Sequence, residues 1–164
     1  MPWIQARDIL NLSRDFYRQM HRIYDELSDQ NDLQRMEIFL SAIRRHVEYL
    51  EKEIRALKKR APSKVLDAWF HFSPDAPKLN TDPNARLGPD MRIDDVICII
   101  LDFDSALVEF YQRLSESTNI EDVRKIFLNL KASVEEEKKK LSFDISCIGF
   151  NKNSRSAKLC HGLA

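Results

Sequence analysis

Glycine is nearly missing from this chain. Three residues in 164, Gly88, Gly149 and Gly162, are all it has, and five of the six prolines fall between Pro62 and Pro89. Glycine this scarce excludes a Gly-rich loop cradling phosphates and a Gly-x-Ser-x-Gly nucleophile elbow, both of which need backbone without a Cβ. Cysteine is scarce too. Cys98, Cys147 and Cys160 are odd in number and without a Cys-x-x-Cys spacing, which excludes a zinc ribbon and a disulfide framework and makes a reducing cytoplasm the expected compartment. No charge surplus exists: 26 basic residues balance 26 acidic ones, unlike a chain built mainly to hold nucleic acid or an anionic membrane. The longest apolar run, Val96 to Leu101, is far too short for a bilayer core of about 30 Å. The stretch from Met1 to Asp8 has no basic region leading into an apolar run, so neither a secretory signal nor a membrane anchor is expected.

What is present is amphipathic helix. The composition, 43% hydrophobic and 32% charged, suits a soluble helical domain. Ile9, Phe16, Met20, Ile23 and Leu27 recur at helical spacing and predict a first helix from about Ala6 to Leu27. Met36, Leu40, Ile43, Val47, Leu50, Ile54 and Leu57 alternate steps of four and three, a sustained heptad seam that ends before Pro62. A third helix from about Met91 carries Ile93, Ile97, Ile100, Leu107, Tyr111 and Leu114 on one seam. The fourth follows Thr118-Asn119-Ile120-Glu121, which fits a capping box, and carries Val123, Phe127, Leu130, Val134 and Leu141.

These elements predict one all-α domain over residues 1–143 and a mobile tail over 144–164. Two antiparallel helical hairpins are joined by a long connection at about 61–90, whose stretch from Pro74 to Pro89 reads as loop. Extended at roughly 3.3 Å per residue it easily exceeds the roughly 40 Å length of the second helix. A four-helix bundle with one long crossover is the layout of ferritin-like folds, and a simple up-down-up-down bundle is the other option.

The two hairpins also repeat each other. Tyr24-Asp25-Glu26-Leu27-Ser28 followed by Ile38-Phe39-Leu40 parallels Tyr111-Gln112-Arg113-Leu114-Ser115 followed by Ile126-Phe127-Leu128. The segment from Ala106 to Leu114, with Val123 to Leu130 after it, resembles the rubrerythrin-like branch of the ferritin-like superfamily. That resemblance implies a bundle core holding two irons, with one carboxylate from each of two helices and a Glu-x-x-His pair from each of the others. Residues three apart share a helix face, so both reach one ion. Here no Glu-x-x-His or Asp-x-x-His exists: Arg18, Ile43, Ala68 and Lys158 stand three residues before His21, His46, His71 and His161.

Carried over position by position, the resemblance puts the lone carboxylates at Tyr17 and Asp104, and the Glu-x-x-His pairs at His46 with Tyr49 and at Val134 with Glu137. Asp104, Glu137 and His46 are the candidate ligands that remain. Asp104 and Glu137 each interrupt an apolar seam, and a buried carboxylate without a partner is costly. Either the three residues bind a single divalent ion, Fe, Mn or Zn, or they form a polar core held by hydrogen bonds to Tyr17, Tyr24, Tyr49 or Tyr111.

Other features read as structure. Cys160-His161 lies in the expected tail. The basic run from Arg55 to Arg60 has the chemistry to touch phosphates but suits a helix C-terminus, where it complements the macrodipole. Glu135-Glu136-Glu137 before Lys138-Lys139-Lys140 gives ion pairs four apart on a solvated face, with Glu137 alone in phase with the core. Trp69, Phe70, His71 and Phe72 are expected to cap the core, with a partner-binding patch as the other reading. The expectation is a ferritin-like bundle without its di-iron ligand set, a non-catalytic binding or structural module with no cofactor, homodimeric, with neither nucleic acid nor membrane as partner. The rivals are a metal protein using the incomplete Asp104, Glu137 and His46 site, and a small-molecule binder with a pocket around Tyr17, His46 and Asp104.

Overall fold

The computed structural model describes residues 3–30, 34–71 and 93–148. The elements run β1 (Trp3–Gln5), α1 (Ala6–Gln30), α2 (Gln34–Arg60), α3 (Ser63–Leu66), β2 (Trp69–His71), α4 (Ile93–Ser117) and α5 (Glu121–Ile148). The chain is mostly helical, and no described helix is long and apolar enough to cross a membrane. The loop from Pro74 to Pro89, Phe72, and Cys160-His161 lie outside the described residues, as do the side chains of Tyr24, Leu27, Met36 and Leu40.

The seams become the core. Ile9, Phe16 and Met20 of α1, Ile43, Val47, Leu50 and Ile54 of α2, Ile97, Ile100, Leu107 and Tyr111 of α4, and Val123, Phe127, Leu130, Val134 and Leu141 of α5 are all buried in one cluster. Helix α5 continues past 143, where the tail was expected to begin, through Ile148, and buries Ile145 with the rest. Helix α2 ends where proline predicted: the Ala61 amide still reaches Leu57 O at 2.9 Å, and Pro62 has no amide to extend the ladder. The Pro62 carbonyl then accepts the Val65 and Leu66 amides and starts the single turn of α3.

The entry to α5 differs from the expected capping box. Thr118 Oγ1 accepts the Ile120 amide at 3.2 Å, and the helix begins at Glu121, two residues later than a Thr118 cap would start it, with the Arg124 amide on Ile120 O. Arg124 closes the turn from the side by donating to Ser115 O and Thr118 O. The guanidinium spans the corner by satisfying backbone carbonyls, the opposite partners from the amides that a capping-box carboxylate serves.

Cross-helix bonds fix the helix directions. Arg18 meets Glu51 and Lys58 meets Asn11, so α1 and α2 are antiparallel. Lys138 meets Ser105 and Lys131 meets Gln112, so α4 and α5 are antiparallel. Between the hairpins Tyr17 meets Asp104 and Tyr111 meets Ser13, making α4 antiparallel to α1, while Arg45 pairs with Asp144 and sets α5 against α2. The order is therefore up, down, down, up. Helices α2 and α4 point the same way, so the end of α2 and the start of α4 lie at opposite ends of the molecule.

One feature had no counterpart in the sequence reading. β1 and β2 form an antiparallel ribbon with Trp3 opposite His71, Ile4 opposite Phe70 and Gln5 opposite Trp69. Alternation sorts the aromatic cluster by face. Phe70 is buried edge-on against Phe127, 5.4 Å between centroids, whereas Trp69 and Trp3 stay about 60% and 61% exposed. The cap is thus Phe70, with Leu66 and Ala68 packed beside it, and the tryptophans face outward. The Ala6 amide on Ala68 O at 2.9 Å and an Arg7–Asp67 ion pair hold the ribbon to α1. Phe70→Ala is expected to lower the free energy of urea unfolding by about 3–5 kcal/mol, whereas Trp69→Ala stays within about 0.5 kcal/mol of the parent.

Candidate functional site

Asp104 sits at a seam position of α4, three residues before Leu107 and four after Ile100, so the helix drives its carboxylate into the core. It is fully buried. Two donors meet it there. Tyr17 of α1 donates its hydroxyl to Oδ1 at 2.6 Å, and His46 of α2 places Nε2 2.6 Å from Oδ2. His46 is 2% exposed and Tyr17 fully buried. Three helices therefore converge on one carboxylate, and each carboxylate oxygen has a hydrogen-bonded partner.

Aromatic packing seals the cluster. Tyr17 stands edge-on to Phe103 at 5.8 Å between centroids, and Phe103 stacks on Phe16. One turn away a second polar pair is equally closed: Tyr111 donates to Ser13 Oγ at 3.0 Å, and Ser13 donates to Ile9 O at 3.1 Å. Ser13 was not singled out in the sequence, although it stands four residues before Tyr17 on the stripe of α1 that faces the core. A serine on such a stripe signals a buried hydroxyl that has to find an acceptor.

The expected candidates are brought together unequally. His46 and Asp104 touch; Glu137 is buried but turns elsewhere. Its carboxylate accepts a hydrogen bond from Lys140 Nζ at 2.8 Å, and Lys140 also reaches Glu136 at 3.3 Å. These bonds, led by the one from Glu137, raise the Lys140 pKa. Among the described residues no hydrogen bond between the Glu137 carboxylate and Asp104 or His46 is found, although its charge and its backbone both act on the His46 ring. Of the four tyrosines offered as partners, Tyr17 binds Asp104, Tyr111 binds Ser13, and Tyr49 is 40% exposed with Lys140 over its ring at 5.8 Å.

Protonation follows from this geometry. Burial is the largest influence on His46 and opposes its positive charge. The attraction and hydrogen bond of Asp104 and the contributions of the Glu137 carboxylate and backbone together outweigh it, so the His46 pKa is raised. Burial first, then the charge and hydrogen bond of Asp104, push Tyr17 well above the ordinary tyrosine range. Burial likewise raises Tyr111. The core thus holds a hydrogen-bonded His46–Asp104 pair, with the histidine biased toward its protonated form, beside two neutral phenols. Among the described residues His46 Nδ1, also buried, has no partner of good hydrogen-bond geometry.

Metal–nitrogen and metal–oxygen bonds run near 2.0–2.2 Å, so two ligands at a right angle or wider stand about 2.9 Å or more apart. The 2.6 Å separation of His46 Nε2 and Asp104 Oδ2 is shorter than that, the distance of a direct hydrogen bond. No group of three His, Cys, Asp or Glu that would hold an ion occurs among the described residues. A groove of about 290 Å³ lies on the outer face of α2, lined by Ser41, Arg44, Arg45, Glu48, Tyr49 and Lys52, none of them a member of the buried cluster.

The pH dependence has a definite sign. A histidine whose folded pKa lies above its unfolded value adds stability fully below about pH 6.5, and the contribution is lost as pH rises through the raised value. Denaturant unfolding across that window is expected to show falling stability, with a slope of at most about 1.4 kcal/mol per pH unit from this group. In His46→Gln that component is absent. Asp104→Ala, which strands the histidine without its counter-charge, is expected to cost about 3–5 kcal/mol.

Comparison of the chain with protein-family models, curated proteins and solved structures finds no match in any of the three, so what the site does has to come from its own geometry and chemistry.

Proposed function

We propose that this protein is a ferritin-like helical bundle without the di-iron ligand set, acting as a non-catalytic binding or structural module. The observation that carries the reading is the double occupation of Asp104: Tyr17 and His46 take one oxygen each at 2.6 Å. An ion at the same place would have to displace at least one of these bonds. The Tyr-x-x-Leu hairpin resemblance and the up, down, down, up order support the ferritin-like assignment, since one long crossover between the second and third long helices gives that order. In this reading a hydrogen-bonded ion pair takes the central place that a metal pair holds in the fold's oxidative members, and no redox or hydrolytic chemistry follows from it. The His46 proton is held by the contact with Asp104 against the opposing effect of burial.

Elemental analysis of protein purified without chelator is expected to find Fe, Mn and Zn each well below one equivalent. Added Fe(II), Mn(II) or Zn(II) is expected to leave the melting temperature unchanged. One equivalent of metal that disappears in Asp104→Ala overturns the reading and makes the chain a metal protein using Asp104, Glu137 and His46. Sedimentation of the same sample reads the solution mass and so tests the expected homodimer.

A further inference from the structure

The basic run at the end of α2 does more than complement a helix dipole. Lys58 reaches across to α1 and donates to Asn11 Oδ1, which places it within a row of arginines. On α1 the residues at 7, 11, 14 and 18 lie at steps of four, three and four, a single stripe. The facing stripe of α2 is 51, 55 and 58, and the Arg18–Glu51 bond at 3.0 Å together with Lys58–Asn11 locks the two rows in antiparallel register.

The rows are charge-unbalanced. Arg7, Arg14, Arg18, Arg55 and Lys58 are cations. The carboxylates bonded to them are Asp67 on Arg7, Asp15 on Arg14, and Glu51, which Arg18 and Arg55 share at 3.0 and 2.6 Å. Five cations against three carboxylates leave a surplus of two in these rows, and among the described residues Lys58 has a neutral amide for partner and no ion pair. Electrostatics agree with this crowding. Burial first and Arg14 next, with Arg7 and Arg18 adding, lower the Lys58 pKa against the opposing pull of Asp15.

We propose that the α1–α2 face carrying Arg7, Arg14 and Lys58 is a binding site for a compact phosphate dianion, free or as a phosphomonoester. A dianion matches the surplus of two and suits the pairing of guanidinium forks with a lysine point charge. The site is separate from the buried Asp104 cluster and does not depend on whether that cluster holds metal.

The probes are inorganic phosphate and methyl phosphate, titrated into the full chain at constant ionic strength and followed by amide and lysine Nζ NMR. Saturable shifts at Asn11, Arg14 and Lys58, and a rise in the Lys58 pKa when phosphate is added, are expected. Lys58→Gln and Arg14→Gln are each expected to weaken binding about tenfold, while Lys125→Gln, on an exposed part of α5, leaves it unchanged. Equal binding of methyl phosphate assigns the site to phosphomonoesters; binding of inorganic phosphate alone assigns it to the free ion. Binding of neither, shifts that track ionic strength without saturating, or undiminished binding in a folded Lys58→Gln variant overturns the proposal. If neither variant folds, the Lys58 pKa in the parent protein decides: unchanged by phosphate, it overturns the site.

Discussion

A buried carboxylate has to be answered by donors, and the packing of this bundle is arranged around answering one. Asp104 belongs to the second hairpin, whereas both groups that bind it, Tyr17 and His46, come from the first. Neither hairpin can bury its share of the cluster alone without leaving a polar group unsatisfied, a loss of about 1–3 kcal/mol for each neutral group and more for a charge. The ion pair therefore acts as a register pin between the halves. Sliding α4 by one turn against α1 and α2 would move Ile100 or Val108 into the place of Asp104 and leave imidazole and phenol without an acceptor. Such buried polar contacts add little net stability over well-packed hydrocarbon; here their role is to select one packing.

The surrounding core is consistent with that arrangement. Phe16 and Phe103 stack against each other beside the cluster, Tyr111 and Phe127 are tilted neighbours, and Phe70 closes the end. The aromatic rings exclude water from the carboxylate, and exclusion of water makes both the charge attraction and the cost of losing a partner large. The same low polarity keeps Tyr17 and Tyr111 protonated, which leaves their hydroxyl hydrogens available as donors. Hydrophobic and polar choices in the core thus support one another.

Much of this was legible in the sequence because helices announce themselves by period. The seams of all four long helices, the stop at Pro62 and the inward phase of Asp104 and Glu137 follow from spacing alone, and His46 was found by stepping along the repeated hairpins. What spacing does not carry is partner choice. Nothing local distinguishes Asp104, which meets donors from α1 and α2, from Glu137, which turns to Lys140 three residues on. Tyr49 was reached by carrying over the second position of the Glu-x-x-His pair, three residues after His46, and it lies at the surface. The ribbon escaped because three residues are too few to show a two-residue alternation, and because Trp3–Gln5 and Trp69–His71 are more than sixty residues apart. Ser13 escaped because a single small polar residue hardly disturbs an apolar pattern.

The ribbon also carries a consequence for self-association. It is a sheet with no interior: each strand has one neighbour, and among the described residues no third strand covers either side. Open strand edges are templates for uncontrolled pairing between chains. Here the template is only three residues long on each side, too short to hold a register against a foreign strand. The bulky outward tryptophans further obstruct a flat approach. Brevity acts as the safeguard, and it sets a limit on change, because each residue added to β1 or β2 lengthens the one part of the described fold able to nucleate fibrils.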